Sequence, residues 1–261
     1  MGDWLRGPLH QFSRYEQFRL HFIHFLMVLC SSFLVIFVSL MVAASFGDTT
    51  SVLPPEIGVY AFLVGMGHLP ALYIAFGIRT WKYYDIRINP YISLVEFLFH
   101  NAIGGIACLV EILAQALGAL VAAVFAYGTL HNVPQFLAGV GNPITYISYG
   151  WAFFLEIFAG TFMGWVYFHN WYYESVNTMP ISMAYVITAC TIIVYPFIGA
   201  TTHNPFRWLS ACVIENKCQT GAWWVFVFGP GIGCLIGYFI HTLTWRVNVK
   251  KEKFRKQKTR V

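Results

Sequence analysis

Two stretches decide the fold: Asn89 to His100, reading NPYISLVEFLFH, and Asn204 to Ile214, reading NPFRWLSACVI. Each is an Asn-Pro pair followed by an apolar run, and the two pairs stand 115 residues apart. Asn is a favoured helix cap and Pro suits the first helical position, so each pair reads as a helix start. At about ten residues neither run can cross a hydrocarbon core, which takes about 20. Short apolar pieces at equivalent places in two halves of a chain point to re-entrant half-helices, because backbone that breaks at membrane depth survives only where it lines a cavity or is buried in protein.

A ladder of small residues repeats at the same offset from each pair. Ala114, Gly118 and Ala122 follow Asn89 by 25, 29 and 33 residues, and Gly229, Gly233 and Gly237 follow Asn204 by the same numbers. A spacing of four puts each ladder on one helix face, where small residues let backbones approach closely in lipid. The composition, 58% hydrophobic and 10% charged, makes the chain a polytopic helical membrane protein. Spans are expected near Phe22 to Phe46, Val59 to Ile78, Cys108 to Tyr127, Ile147 to Phe168, Ile181 to Phe197 and Trp223 to Trp245. That divides the chain into an N-terminal segment, 1–21, a membrane unit, 22–245, with half-helices near 90–100 and 205–214, and a basic tail, 246–261. A third pair, Asn142-Pro143, has no short apolar piece after it and is expected only to start the fourth span.

Charge orients the unit. Eight of the 16 Lys and Arg residues lie in the tail, three (Arg6, Arg14, Arg19) precede the first span, and three (Arg79, Lys82, Arg87) follow the second. With six spans all these regions share one side, which the positive-inside rule makes cytoplasmic, so both termini are expected there. The net charge of +5 therefore reads as topology and anionic-lipid contact, not nucleic-acid binding. The six cysteines and nine histidines form no metal-ligand or redox spacing, and no nucleophile and base pair stands out, so neither an enzyme, a metal nor a cofactor is expected.

The run Gly199 to Arg207, reading GATTHNPFR, with the Gly229-Pro230 step beyond it, resembles the second half of an aquaporin. Ala114 to Ala119 is similar to that family's third span, and Glu156 to the acid of its fourth. The resemblance implies an all-α fold of six transmembrane helices and two half-helices in an inverted repeat around a narrow pore, normally four pores per homotetramer. It implies that Asn89 and Asn204 donate hydrogen bonds to one passing molecule and that Arg207 is the constriction arginine, with Thr201 and Ile192 beside it. Pro90 and Pro205 would start the half-helices. His203, next to the cap, is left as a lumen-lining, packing or capping residue, and Glu156 is expected to brace the second re-entrant loop.

Departures from the family pattern bear on activity. The usual Ala after each Asn-Pro is Tyr91 or Phe206 here, and these aromatics must either push the half-helices apart or turn into the protein. The first span lacks the family's carboxylate, for which Glu96 or Glu111 is a candidate substitute. Arg87 stands where a His is common at the cytoplasmic mouth, behind the bulky Trp81, Tyr83, Tyr84 and Asp85. Trp208 follows Arg207 where glycerol-permeable relatives carry Asp. The expected function is a passive channel for water or another small neutral solute, with glycerol, ammonia and peroxide as further candidates. The alternative is the same fold with an occluded pore, serving as a structural subunit of a larger membrane complex.

Overall fold

The computed structural model describes residues 13–45, 54–77, 87–100, 103–130, 147–172, 178–198, 203–215 and 223–258. Among them the chain is all-helical. The elements are α1 (Arg14–Ser45), α2 (Pro54–Gly77), a short α3 (Pro90–Val95) running into a π-helical turn (Glu96–His100), α4 (Gly105–Leu130), α5 (Tyr149–Tyr172), α6 (Met179–Ile198), α7 (Pro205–Glu215) and α8 (Trp223–Lys258). Helices α1, α4, α5 and α8 each contain a stretch long and apolar enough to cross a membrane, whereas α2 and α6 carry shorter apolar stretches, Ala61–Ala75 and Met179–Val194.

Local chemistry explains the helix starts. Ser13 and Glu16 form a reciprocal capping box at the start of α1: the Ser13 amide donates to Glu16 Oε2 at 3.0 Å and the Glu16 amide to Ser13 Oγ at 3.3 Å. Both half-helices start with Pro, whose missing N–H belongs to an orphan position. At the other end, α8 continues through the basic residues to Lys258, so span and tail are one helix of 36 residues. At about 1.5 Å per residue it is some 54 Å long, well beyond a hydrocarbon core of about 30 Å. The Asn142-Pro143 pair, Cys218 and the bulky segment from Trp81 to Asp85 lie outside the described residues.

The repeat seen in the sequence is a repeat of packing. The two most extensive helix pairings are α1 with α4 and α5 with α8, the first and third spans of each half. In each, the ladder is the contact. A Cβ on Gly118 would stand 2.6 Å from the Leu29 carbonyl of α1, and Cβ atoms on Gly233 and Gly237 would stand 2.2 and 2.4 Å from the Ile157 and Thr161 carbonyls of α5. Gly160 and Gly164 of α5 return the contact against Pro230 and Cys234. Backbones this close leave room for no side chain, which is how small residues drive helix association where no hydrophobic transfer energy is available. The second spans, α2 and α6, pair with each other across the halves. The half-helices cross over as well: α3 lies on α8 and α7 on α4.

The ladder makes a selective stability prediction. Gly233→Val should overpack the α5–α8 seam and lower stability by about 3 kcal/mol or more, while Gly128→Ala, where an added Cβ meets nothing within 4 Å, should be close to neutral. Thermal unfolding of the purified variants in detergent reads the difference.

Candidate functional site

The half-helix N-termini meet, and each asparagine does two jobs there. Asn89, in an extended conformation, accepts the Tyr91 amide at 3.0 Å through Oδ1, and Asn204 accepts the Phe206 amide at 3.0 Å in the same way. Each amide nitrogen then reaches across to the other half. Asn89 Nδ2 donates to the His203 carbonyl at 2.7 Å, and Asn204 Nδ2 donates to the Ile88 carbonyl at 3.0 Å. The acceptors are the residues immediately before the opposite asparagine, so the two bonds are related by the repeat. Asn89 Nδ2 also lies 3.5 Å from the Met163 thioether, a weak acceptor. Sequence reasoning assigned these amides to a solute alone; the structure spends one N–H of each on joining the halves.

The aromatics that follow the prolines leave this meeting point. The Tyr91 ring lies over Gly231 of α8, where an added Cβ would be 2.8 Å from Cε1, and the Tyr91 hydroxyl donates to the Val227 carbonyl. Phe206 packs against the apolar cluster that α1 and α4 form from Ile36, Leu40, Ala119, Ala122, Ala123 and Ala126. Of the two options open to them, both have turned into the protein, each onto spans of the opposite half.

The first re-entrant segment is braced by a buried charge cluster. Arg87 is 1% exposed and donates through Nε to Glu96 Oε2 at 3.0 Å and through Nη1 to Glu111 Oε1 at 3.0 Å; its Nη2 also bonds Glu96. Glu111 Oε1 lies 2.9 Å from His24 Nε2 on α1. Gln115, one turn beyond Glu111, donates to the Arg87 carbonyl at 2.8 Å and to Ser93 Oγ at 3.2 Å. Glu96 and Glu111 thus both take part in holding the loop whose usual first-span carboxylate is missing, and α1 contributes a histidine instead. Arg87, expected at the cytoplasmic mouth, is thus enclosed within this cluster. Its guanidinium is enclosed because two carboxylates at membrane depth need a cation that can fork between them.

The remaining expected residues are placed unevenly. Arg207, 9% exposed, donates through Nε to Ser39 Oγ of α1 at 2.6 Å, and its amide caps back to the Asn204 carbonyl at 3.1 Å. His203 is 9% exposed, and its backbone holds φ 39, a left-handed conformation uncommon outside glycine. Ile192 stands on α6 at 42% exposure, and Thr201 lies outside the described residues. Glu156 is fully buried on α5, its Cβ at the place where Gly229 of α8 has none to spare. The loop it was expected to brace, just before residue 203, is outside the described residues.

Sequence reasoning missed His68. It is buried on α2 at 5% exposure. Its Nδ1 lies 2.7 Å from the Val64 carbonyl. A lone histidine in an apolar span was the available signal. Among the described residues no group of three or more His, Cys, Asp or Glu could hold a metal ion.

Comparisons with known proteins come to one family. The sequence model described as Major intrinsic protein matches residues 20–241. No curated protein sequence matches. Among solved structures the chain is similar to the X-ray structure of the aquaglyceroporin from Plasmodium falciparum, with a TM-score of 0.70 and 18% identity over 87% of this chain and 98% of that one. At that identity the likeness bears on the fold.

Removing the cation from the Arg87 cluster should be costly, because it strands two carboxylates in a buried site. Arg87→Met is expected to lose about 3–5 kcal/mol of stability, with Arg87→Lys recovering only part, since an ammonium cannot fork as a guanidinium does. Chemical unfolding in detergent followed by tryptophan fluorescence checks both; equal stability of Arg87→Met and the native protein would refute the bracing role.

Proposed function

The chain belongs to the major intrinsic protein family, a family of membrane channels for small solutes, and from that premise we propose that it is a passive channel whose pore is centred on Asn89 and Asn204. The observation that carries this reading is the reciprocal pair of amide bonds, Asn89 to the His203 carbonyl and Asn204 to the Ile88 carbonyl. They hold two helix N-termini against each other, and with them roughly half a positive charge each and the two asparagine amides as donors. Such a midplane repels cations and offers donors to a neutral oxygen. Asn204 keeps its second N–H for a solute, and the weak sulfur contact of Asn89 is one that a solute oxygen displaces readily.

Selection follows from the groups around that centre. Arg207, tethered to Ser39, is a fixed cation that excludes other cations and donates to a neutral solute. Ile192, and Thr201 by its place in the sequence, complete the constriction. Tyr91, Phe206, Pro90 and Pro205 hold the half-helices, and Glu156 supports the second. Water is the first solute in this reading, with glycerol second because Trp208 is buried against Phe226 at the position after Arg207. The displacement of Tyr91 and Phe206 into the protein favours a conducting pore over an occluded structural subunit. We further place both termini on the cytoplasmic side, from the basic residues outside the spans, and expect a homotetramer in the bilayer, from the family.

Stopped-flow osmotic shrinkage of proteoliposomes tests the reading. The native protein should give water flux with a low activation energy, and Asn204→Asp, which replaces the donor amide by an acceptor, should cut it at least tenfold while remaining inserted. Shrinkage at the rate of empty liposomes with correctly inserted native protein would overturn the water-channel reading.

A further inference from the structure

The twofold plan of the centre breaks at a sulfur. Asn89 and Asn204 make the same cap bond and the same bond across to the other half. Beside the Asn89 amide nitrogen, however, stands a thioether, Met163 Sδ at 3.5 Å. Met163 lies on α5 between Gly160 and Gly164, which touch the Pro230 and Cys234 backbone of α8 too closely to admit a Cβ, so its place is fixed. Its side chain is 3% exposed. Met179 on α6 is as enclosed, at 1%, whereas Met66 on α2 is 42% exposed.

A thioether accepts hydrogen bonds weakly, but its lone pairs are nucleophilic toward peroxides. Oxidation to the sulfoxide turns an apolar side chain into a polar one. Which methionines react depends on which sulfurs the oxidant can reach. Met163 is shut off from the surface, yet its sulfur touches the amide that faces the solute in the pore reading. A small oxidant held by the Asn89 amide therefore lies within reach of that sulfur, and a bulky one outside the pore does not.

We propose that Met163 is an oxidation site that closes the channel: hydrogen peroxide travelling through the pore converts its thioether to the sulfoxide, whose oxygen then takes the Asn89 amide away from the solute. The inference rests on the pore reading and adds a regulation of that pore. In the step a sulfur lone pair attacks one peroxide oxygen as the O–O bond breaks. That oxygen stays on sulfur, its proton passes to the departing oxygen, and water leaves; sulfur loses two electrons and peroxide gains them. Before oxidation, Asn89 Nδ2 gives one N–H to the His203 carbonyl and the other points to a weak acceptor that a solute displaces. Afterwards a strong acceptor is covalently tethered at that place, and a passing solute must compete with it. The enzymes that reduce methionine sulfoxide do not meet a side chain that is 3% exposed in the folded protein, so the closure is lasting.

The test treats proteoliposomes with hydrogen peroxide or with the bulkier tert-butyl hydroperoxide, then reads the oxidation of each methionine by peptide mass spectrometry and water flux by osmotic shrinkage. Hydrogen peroxide should convert Met163, tert-butyl hydroperoxide should convert Met66 but not Met163, and neither should convert Met179. Water flux in the native protein should fall about fivefold after hydrogen peroxide, the worth of one withdrawn hydrogen bond, and hold after tert-butyl hydroperoxide. Met163→Leu, close in volume and without sulfur, should give the same flux after hydrogen peroxide as before it, whatever its starting value. Met163 left intact while added free methionine is consumed, Met179 converted as fully as Met163, native flux unchanged once Met163 is oxidised, or an equal fall in Met163→Leu would each overturn the inference while leaving the pore in place. Absence of flux in the untreated native protein would overturn the channel reading and the switch with it.

Discussion

Everything at the centre of this molecule depends on two side-chain amides that each serve two masters. An asparagine that caps its own half-helix keeps an NH2 group facing away from the cap, and at this place it faces the backbone of the other half. The bonds from Asn89 to the His203 carbonyl and from Asn204 to the Ile88 carbonyl tie together two chain breaks that would otherwise leave unpaired carbonyls at membrane depth. The two half-helices cannot be positioned independently, since each cap is also the other's anchor. That coupling explains why the aromatics at 91 and 206 pack on spans of the opposite half: once the termini are joined, the first side chain of each half-helix projects across the boundary between the repeats.

The two halves carry different buried charges on the same packing plan. The second half keeps a buried carboxylate, Glu156, close against Gly229. The first half centres on a cation, Arg87, shared between Glu96 on the half-helix and Glu111 on α4, with His24 on α1 touching the same Glu111 oxygen. Such a cluster is a poor source of net stability, because desolvating the charges offsets most of their attraction. What it supplies is geometry. The guanidinium fork fixes the angle between the half-helix and α4, and Gln115 then fastens the Arg87 carbonyl and Ser93 from the same helix face. The π-helical turn beginning at Glu96 lies within this arrangement, where a break in the regular hydrogen-bond ladder redirects the side chains that follow.

Much of the fold was legible because membranes leave few ways to satisfy a backbone. Span-length apolar runs, two short runs behind Asn-Pro, and ladders at matching offsets carry the helix order and the pairing of first with third spans. The site was legible only where one residue's chemistry sufficed, as for the caps. The Arg87 cluster was hidden because its members are 9 to 87 residues apart, and a basic residue after a span reads first as a topological charge. His68 was hidden because a lone histidine in an apolar helix carries no pattern of its own that says it will be buried. The direction taken by Tyr91 depended on Gly231, whose missing Cβ makes the space.

That last dependence decides how a bulky residue can occupy the place usually held by alanine without filling the centre. A ring at 91 has only two directions, toward the meeting point or away from it. Moving away is open only if the facing helix offers a gap, and Gly231, inside the stretch bounded by Gly229 and Gly233, is that gap. Proline at 230 removes one backbone donor from α8, and the Tyr91 hydroxyl brings a donor to the nearby Val227 carbonyl. Phe206 needs no such polar handle, because the cluster it packs against on α1 and α4 is wholly apolar. The difference between Tyr at one position and Phe at the other thus follows from what each meets. The small residues that let the spans close on one another also make room for the aromatics, so the ladders and the departures from the family pattern are parts of one packing solution.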